Sequence, residues 1–318
     1  MKALITGGAG FTGKKLIDEL LARGDKVKVL DKNMANLAEM KSPAVELIEG
    51  GIEDREKVKR AVKNADVIYH LAETFSSDPY KVVDVDIKGM VNLLEAAVEN
   101  KVKHFLFAST HRVYGKPRYA PMDEEHPLHP EESRRPLYSL SKLTREQIGL
   151  TYWREHELPF TVLRWWYSID PTQPMQGKVL KAMIDNALKG ETIRLPDKGG
   201  GDFILNEDTV RGFLTATLNE KGFGQVFNIT SGAYLTWLDL AKVVLELTAS
   251  SSRLGAIPAD KWQGDPSITM DTTLPFECSL DISKAKRLLG YKPTYSAQEV
   301  KNMLRDSTGK LVELRKQG

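Results

Sequence analysis

The 318-residue chain contains one cysteine, Cys278. A lone thiol excludes an intramolecular disulfide and any zinc site built from several cysteines, and it suits a reducing compartment. A dominant charge is also missing, because 45 basic and 43 acidic residues leave a net +2. Such a balance demands neither a nucleic-acid partner nor an anionic membrane surface. No apolar run approaches the ~20 residues that cross a bilayer. The first strand begins at Lys2, so no signal peptide is expected. These absences together point to a soluble, cytoplasmic protein. The six histidines are scattered. Glu124, Glu125, His126 and His129 form the only cluster of metal-ligating types, in a Pro-containing loop, and no metal is expected there.

What is present is an alternation. Ala3-Leu4-Ile5, Val27 to Asp31, Val45 to Ile48, Val67 to Leu71, Phe105 to Ala108 and Phe160 to Leu163 read as short buried strands. Helical stretches over about 13–23, 54–64, 81–100 and 137–156 separate them. Such a pattern predicts an α/β fold, a parallel sheet wrapped by helices on both faces. Beyond it, residues 176–190 read as a helix and Val226 to Ile229 as a strand returning to the main sheet near 225–230. Further helices are expected from Thr236 to Leu247, capped by Thr236, and from Asp281 to Leu289, stopped by Gly290. The stretch from Ser250 to Pro275 reads as long loops. The division expected is a nucleotide-binding domain over 1–170 and a smaller substrate-binding lobe over most of 171–318.

Between the first strand and the first helix runs Thr6-Gly7-Gly8-Ala9-Gly10-Phe11-Thr12-Gly13. Gly7 permits a tight turn, Gly10 a close approach of backbone to a pyrophosphate, and Gly13 close packing of helix on strand. Phe11 and Thr12 open the helix whose N-terminus would face the phosphates. Asp31 ends the second strand, where a carboxylate accepts two hydrogen bonds from a ribose diol and repels the extra phosphate of NADP. The reading is a doubly wound, Rossmann-type sheet that binds NAD, although the neighbouring Lys32 offers a cation for phosphate.

Tyr138 and Lys142 stand one helical turn apart on the same helix face. An ammonium beside a phenol is expected to lower its pKa from ~10 towards neutrality. Tyr138 then takes a proton from a substrate hydroxyl as hydride leaves, or returns it in reduction. Lys142 also reaches towards a nicotinamide ribose. Ser109 and Thr110 end the fifth strand, at the edge where open parallel sheets gather ligands.

These pieces resemble the extended short-chain dehydrogenase/reductase family, in its NAD-dependent epimerase/dehydratase branch. Thr6 to Gly13 is similar to the family's glycine motif, and His70-Leu71-Ala72 to its cofactor-lining segment. Asp86 to Ala97 resembles the helix behind the active site. Ser109 to Gly115 is similar to the motif of the catalytic hydroxyl, a role that falls on Thr110. Tyr138-Ser139-Leu140-Ser141-Lys142 matches Tyr-x-x-x-Lys. Asp202-Phe203 through Asp208, Asn228, and Asp281 to Pro293 resemble the C-terminal landmarks. The resemblance implies catalysis by Thr110, Tyr138 and Lys142, with Leu71 and Ala72 against NAD. It also implies a homodimer formed through the helices near 81–100 and 137–156, with Met90, Leu94, Val98, Leu143, Ile148 and Tyr152 as apolar positions divided between sheet and partner.

The departures from that pattern bear on the substrate. Gly50-Gly51-Ile52 replaces Gly-Asp-Ile, Asp86 replaces Asn, and Ala72-Glu73 replaces Ala-Ala. Tyr167 stands where an Asn and Gly201 where an Arg commonly hold a diphosphate. Compensating cations come from Arg112, Lys116, Arg118, Arg164, Lys178, Lys181, Arg194 and Arg211, with Arg112 preferred. His111, Arg112 and Tyr167 are the candidate substrate contacts, His111 either donating to a substrate hydroxyl or packing under its loop. Of Trp165 and Trp166, strand alternation lets one face the pocket. The leading expectation is an NAD-dependent epimerase or dehydratase of a nucleotide-activated sugar. The alternatives are a dehydrogenase or reductase of a sugar or small carbonyl compound without a nucleotide, and a non-catalytic NAD-binding sensor.

Overall fold

The computed structural model describes residues 1–40, 42–175 and 177–317. Seven parallel strands make the main sheet: β1 (Lys2–Thr6), β2 (Lys26–Asp31), β3 (Val45–Glu49), β4 (Val67–His70), β5 (His104–Ala108), β6 (Phe160–Arg164) and, from far downstream, β10 (Gln225–Asn228). Their spatial order is β10-β6-β5-β4-β1-β2-β3. The order reverses between β1 and β4, the switch point at which doubly wound sheets bind ligands.

Alternation along each strand feeds two cores. On β1, Ala3 and Ile5 pack under one face with Leu16, Ile17 and Leu20 of α1 (Phe11–Ala22). Leu4 packs under the other, with Val58 and Val62 of α2 (Arg55–Val62) and Leu93 and Leu94 of α4 (Gly89–Glu99). With both faces covered, β1, β4, β5 and β6 carry largely apolar runs, whereas β2 and β3 are interrupted by Lys28 and Glu46. The expected single helix over 81–100 is three pieces. α3 (Pro79–Lys81) leads into a π-helical turn (Val82–Lys88) and then α4. Met90 and Leu94 are fully buried, so these two expected positions serve the sheet.

α5 (Pro136–His156) starts with Pro at its first position, where no amide hydrogen is needed. Past it and β6 come β7 (Tyr167–Ile169), α6 (Lys178–Lys189), β8 (Ile193–Pro196) and β9 (Gly200–Leu205). Residue 176, where the sixth helix was expected to begin, lies outside the described residues. α7 (Asn206–Ala216) precedes β10, and β11 (Ala233–Thr236) leads into α8 (Trp237–Thr248), whose Thr236 cap forms a capping box with Asp239. The loops expected over 250–275 include β12 (Leu254–Ile257), which pairs with β8. β13 (Glu277–Cys278) and β7 flank β9 in parallel, and β11 pairs with β9 antiparallel. α9 (Ser283–Leu289) ends on left-handed Gly290 as expected. α10 (Ala297–Lys316) is a 20-residue helix absent from the sequence reading.

The second half does not separate cleanly from the first. Val210 and Phe213 of α7 and Ala285 and Leu289 of α9 belong to the core under the main sheet. A different core gathers α6, α8, α10 and the small sheets around Met183, Phe203, Leu240 and Leu304.

Candidate functional site

A cleft of about 580 Å³ opens at the carboxyl ends of β1, β2, β4 and β5. Gly7, Gly10, Phe11, Thr12 and Gly13 line it, with Asp31, Leu71, Ala72, Thr110, Tyr138 and Lys142. The glycine turn is built for close approach. Gly7 has φ +73°, and a Cβ there would lie 2.7 Å from the Ala72 amide nitrogen. A Cβ on Gly13 would lie 2.6 Å from the Gly7 carbonyl oxygen. Asp31 is held in place by two amides: Ala9 N donates to Oδ2 at 3.0 Å and Asn33 N to Oδ1 at 3.0 Å. Each oxygen keeps acceptor capacity for a diol. Lys32 pairs with Glu53 at 2.8 Å, which neutralises the cation that argued for a second phosphate. These residues fit NAD.

α5 carries Tyr138 and Lys142 to the cleft wall. Lys142 Nζ donates to the Ala108 carbonyl at 2.7 Å and to the Glu73 carboxylate. Arg145 stands 3.6 Å from Asp86 and 3.9 Å from Glu73. Asp86 also accepts from the Thr74 amide at 2.8 Å and the Ser141 hydroxyl at 3.0 Å. Two carboxylates and two cations thus share a buried layer beneath the tyrosine. Phe75 covers Tyr138 with parallel rings 5.9 Å apart, and the Arg135 guanidinium lies over both.

The expected acidity of Tyr138 is reversed in this state. Burial raises its pKa above the ordinary ~10, Glu73 raises it further, and Arg112 and Arg145 lower it. Lys142 sits 5.6 Å from the phenol ring with its ammonium committed to Glu73 and Ala108. Burial, opposed by Glu73, pulls the Lys142 pKa below its usual value.

Ser109 donates to Glu146, which also takes two hydrogen bonds from Arg164, Nε at 3.0 Å and Nη2 at 2.5 Å. That leaves Thr110 as the strand-end hydroxyl facing Tyr138, and its proximity favours the phenolate. Arg164 is buried and gives Nε and Nη2 to this pair, which holds it in the core, while its Nη1 has no hydrogen-bond partner. Arg118, Arg194 and Arg211 likewise face acids. Arg112 and Lys178 line a second cavity, beyond Trp166. His111 is buried, and burial holds its pKa well below the usual range, so the ring is neutral. Its Nδ1 faces the Trp165 carbonyl at 3.3 Å, an acceptor, so Nδ1 carries the proton. Nε2 is then an acceptor, which removes the expected donor role. Trp165 and Trp166 both line the cleft, because they follow the end of β6 and strand alternation does not govern them. Tyr167 lines the second cavity.

Among the described residues, no three metal-ligating side chains converge. His126 accepts from the Arg118 amide at 2.8 Å and Glu124 from the Asn228 amide at 2.7 Å, so both serve their own loops. Glu73, expected as an anion near the cofactor or the substrate mouth, lines the cleft, whereas Phe75, Arg135 and Arg145 were missed as site residues. Arg145 is seven residues beyond Tyr138, two helical turns along one face, and that polar stripe was a readable signal.

The fold recurs in known proteins. Low-salt glycan biosynthesis protein Agl12 of Haloferax volcanii is 30% identical over 315 residues, 94% of this chain and 96% of that one. UDP-N-acetyl-alpha-D-glucosaminuronate decarboxylase of Bacillus cytotoxicus is 28% identical over 312 residues, 94% of each. The solved UDP-glucose 4-epimerase of Thermotoga maritima with UDP-glucose superposes with a TM-score of 0.76 at 28% identity, over 100% of this chain and 99% of that one. The dTDP-glucose 4,6-dehydratase DesIV of Streptomyces venezuelae, with NAD and TYD bound, gives 0.75 at 26% identity over 96% of each chain. The family model for the NAD dependent epimerase/dehydratase family matches residues 3–230, and the chain belongs to that family.

Proposed function

We propose that the chain epimerises or dehydrates a nucleotide-activated sugar, with Tyr138 as its acid/base and bound NAD as the hydride acceptor. The observation that carries the reading is the meeting of Tyr138, Lys142 and Thr110 at the wall of a cleft that begins at the glycine turn. Tyr138 takes the proton of the substrate hydroxyl whose carbon is oxidised, and gives it back on reduction. Lys142 supplies positive charge beneath the phenol, and Thr110 orients the reacting oxygen. Asp31 holds the adenosine ribose, and the α1 N-terminus faces the pyrophosphate. Activated-sugar relatives on both the epimerase and dehydratase sides support this substrate class. The test supplies the purified protein with NAD and with UDP-, GDP-, dTDP- and CDP-sugars. A product with an inverted hydroxyl or a lost water is expected from one of them. Absence of NAD binding, or of any conversion, overturns the reading.

A second reading keeps the same Tyr and Lys and drops the nucleotide, leaving a dehydrogenase or reductase of a sugar or small carbonyl compound. It is favoured by Gly201, where a Cβ would lie 2.6 Å from the Trp166 indole, so no arginine fits there to hold a diphosphate.

Glu73 adds to the effect of burial on the pH dependence in either reading. Its charge raises the Tyr138 pKa, so Glu73→Gln lowers it. The rising limb of kcat/KM against pH, read in the oxidation direction, is expected to move to lower pH. A profile that stays in place means Glu73 does not act on Tyr138.

We further infer a cytoplasmic homodimer through α4 and α5, and a substrate lobe made mainly by the chain after residue 170. An open groove along α5 is lined by Leu140, Leu143, Ile148 and Tyr152, and Leu140 is 43% exposed. Light scattering at micromolar concentration is expected to give twice the chain mass, falling to one chain mass in Leu143→Glu. A wild-type protein of single mass removes the dimer.

A further inference from the structure

The second cavity has a volume of about 100 Å³ and a largely aromatic wall of Trp166, Tyr167, Phe203, Trp237 and Phe276. Trp166 lines this cavity and the dinucleotide cleft alike, so the two are neighbours. Arg134, which also lines it, is matched by Asp271 at 3.0 Å. Lys178, at the first position of α6, is exposed.

Arg112 differs from both. Its backbone amide donates to the Thr110 hydroxyl at 3.3 Å. Among the described residues its guanidinium makes no hydrogen bond and no ion pair. A guanidinium does not lose its proton, and its planar fork of donors fits a carboxylate in two parallel hydrogen bonds. Arg112 is half-buried, and the nearby acid, Asp271, is paired with Arg134, so the fork of Arg112 is open to an anion that enters the cavity. Arg112 lies two residues past Thr110, and its charge is felt at the Tyr138 hydroxyl. The anion it receives therefore sits in the second cavity, which shares Trp166 with the cleft of Tyr138 and Thr110. When C4 of a hexopyranose reacts, the exocyclic C6 is nearby, whereas the anomeric phosphate of an activated sugar is across the ring.

We propose that Arg112 is a specificity-determining residue that receives an acid group on the substrate ring, so that the preferred substrate is a sugar acid. The inference rests on the functional reading above and names its substrate class. The carboxylate arrives on a nucleotide-linked hexuronate or on a free one, and the arms of the test separate these sources.

The NAD-loaded protein is titrated calorimetrically with two matched pairs: UDP-glucuronic acid against UDP-glucose, and free glucuronate and galacturonate against glucose and galactose. In one pair the acid is expected to bind at least tenfold more tightly than its neutral counterpart, and that pair identifies the source. Arg112→Gln is expected to erase the preference while leaving NAD affinity unchanged. Arg112→Lys, which keeps the charge and loses the fork, retains part of it and carries the test if the Gln variant does not fold. Equal affinities within both pairs, or a preference that survives in Arg112→Gln, overturn the inference. So does an effect of Arg112→Gln limited to the pH profile, which assigns Arg112 to the Tyr138 phenolate alone. Failure of the wild-type protein to bind NAD overturns the functional reading, and this inference with it. NAD binding without acid preference overturns the inference alone.

Discussion

Tyr138→Phe is expected to bind NAD as the wild-type chain does and to turn over about 10²–10⁴ times more slowly, the range typical of a lost general acid/base. The phenol is the only titratable group on α5 that faces the cleft beside the Thr110 hydroxyl without already being engaged with an acid. Removing its oxygen leaves the ring, its stack with Phe75 and the Arg135 contact in place. Binding and stability should therefore be spared. The control is Thr110→Val, which keeps the volume and should cost less, because Thr110 orients the oxygen and moves no proton. NAD affinity by calorimetry and kcat from single-turnover kinetics separate the two roles. Turnover in Tyr138→Phe within threefold of wild type would remove Tyr138 from the chemistry and return weight to a non-catalytic NAD-binding protein.

The largest loss of stability is expected from Glu146→Ala, at about 3–5 kcal/mol, the usual cost of breaking a buried ion pair by deleting one partner. Glu146 is fully buried and accepts from Arg164 through two nitrogens and from Ser109 through its hydroxyl. Without it, the Arg164 cation remains in the core with the Tyr114 ring 4.9 Å away and, among the described residues, no other ion-pair partner. Replacing both members with apolar residues, as in Glu146→Leu with Arg164→Met, should recover most of the loss, since the cost lies in the stranded charge more than in the lost attraction. Denaturant midpoints of the two singles and the double complete the cycle. A loss under about 1 kcal/mol in Glu146→Ala would mean that Arg164 finds water or another acceptor. The same variant frees Ser109 at the end of β5, next to Thr110, so its residual activity also reports on how firmly that strand end is held.

The parts of the fold legible in the sequence are those in which one physical cause dominates. Strands covered on both faces carry largely apolar runs, so β1, β4, β5 and β6 were visible within a residue or two, and β2 was visible through Val27, Val29 and Leu30. The small sheets were not, because β7 and β13 are three and two residues long and exist through pairing with β9. α10 was overlooked although Ser296 and Glu299 form a readable capping box. At the site, the glycine turn and the Tyr138–Lys142 pair were legible because local spacing defines each, and Asp31 because it ends the strand that follows the turn. Glu73 was noticed as an unusual residue, but its contact with Lys142 is tertiary, and so is the burial that, with Glu73, reverses the expected acidity of Tyr138. The acceptor tautomer of His111 likewise depends on the Trp165 carbonyl, which no local pattern announces.

The strand β10 has a consequence for how the chain is made. It lies beside β6, from which it is separated by β7, α6, β8, β9 and α7. As the chain leaves the ribosome from its N-terminus, β6 presents an open edge of unpaired amides and carbonyls until those elements have been synthesised. The nucleotide-binding layer is completed only after part of the lobe that follows it. Contacts so distant in sequence form late and slowly. The nascent intermediate is thus a sticky one, and the two functional regions mature as one cooperative unit instead of in succession.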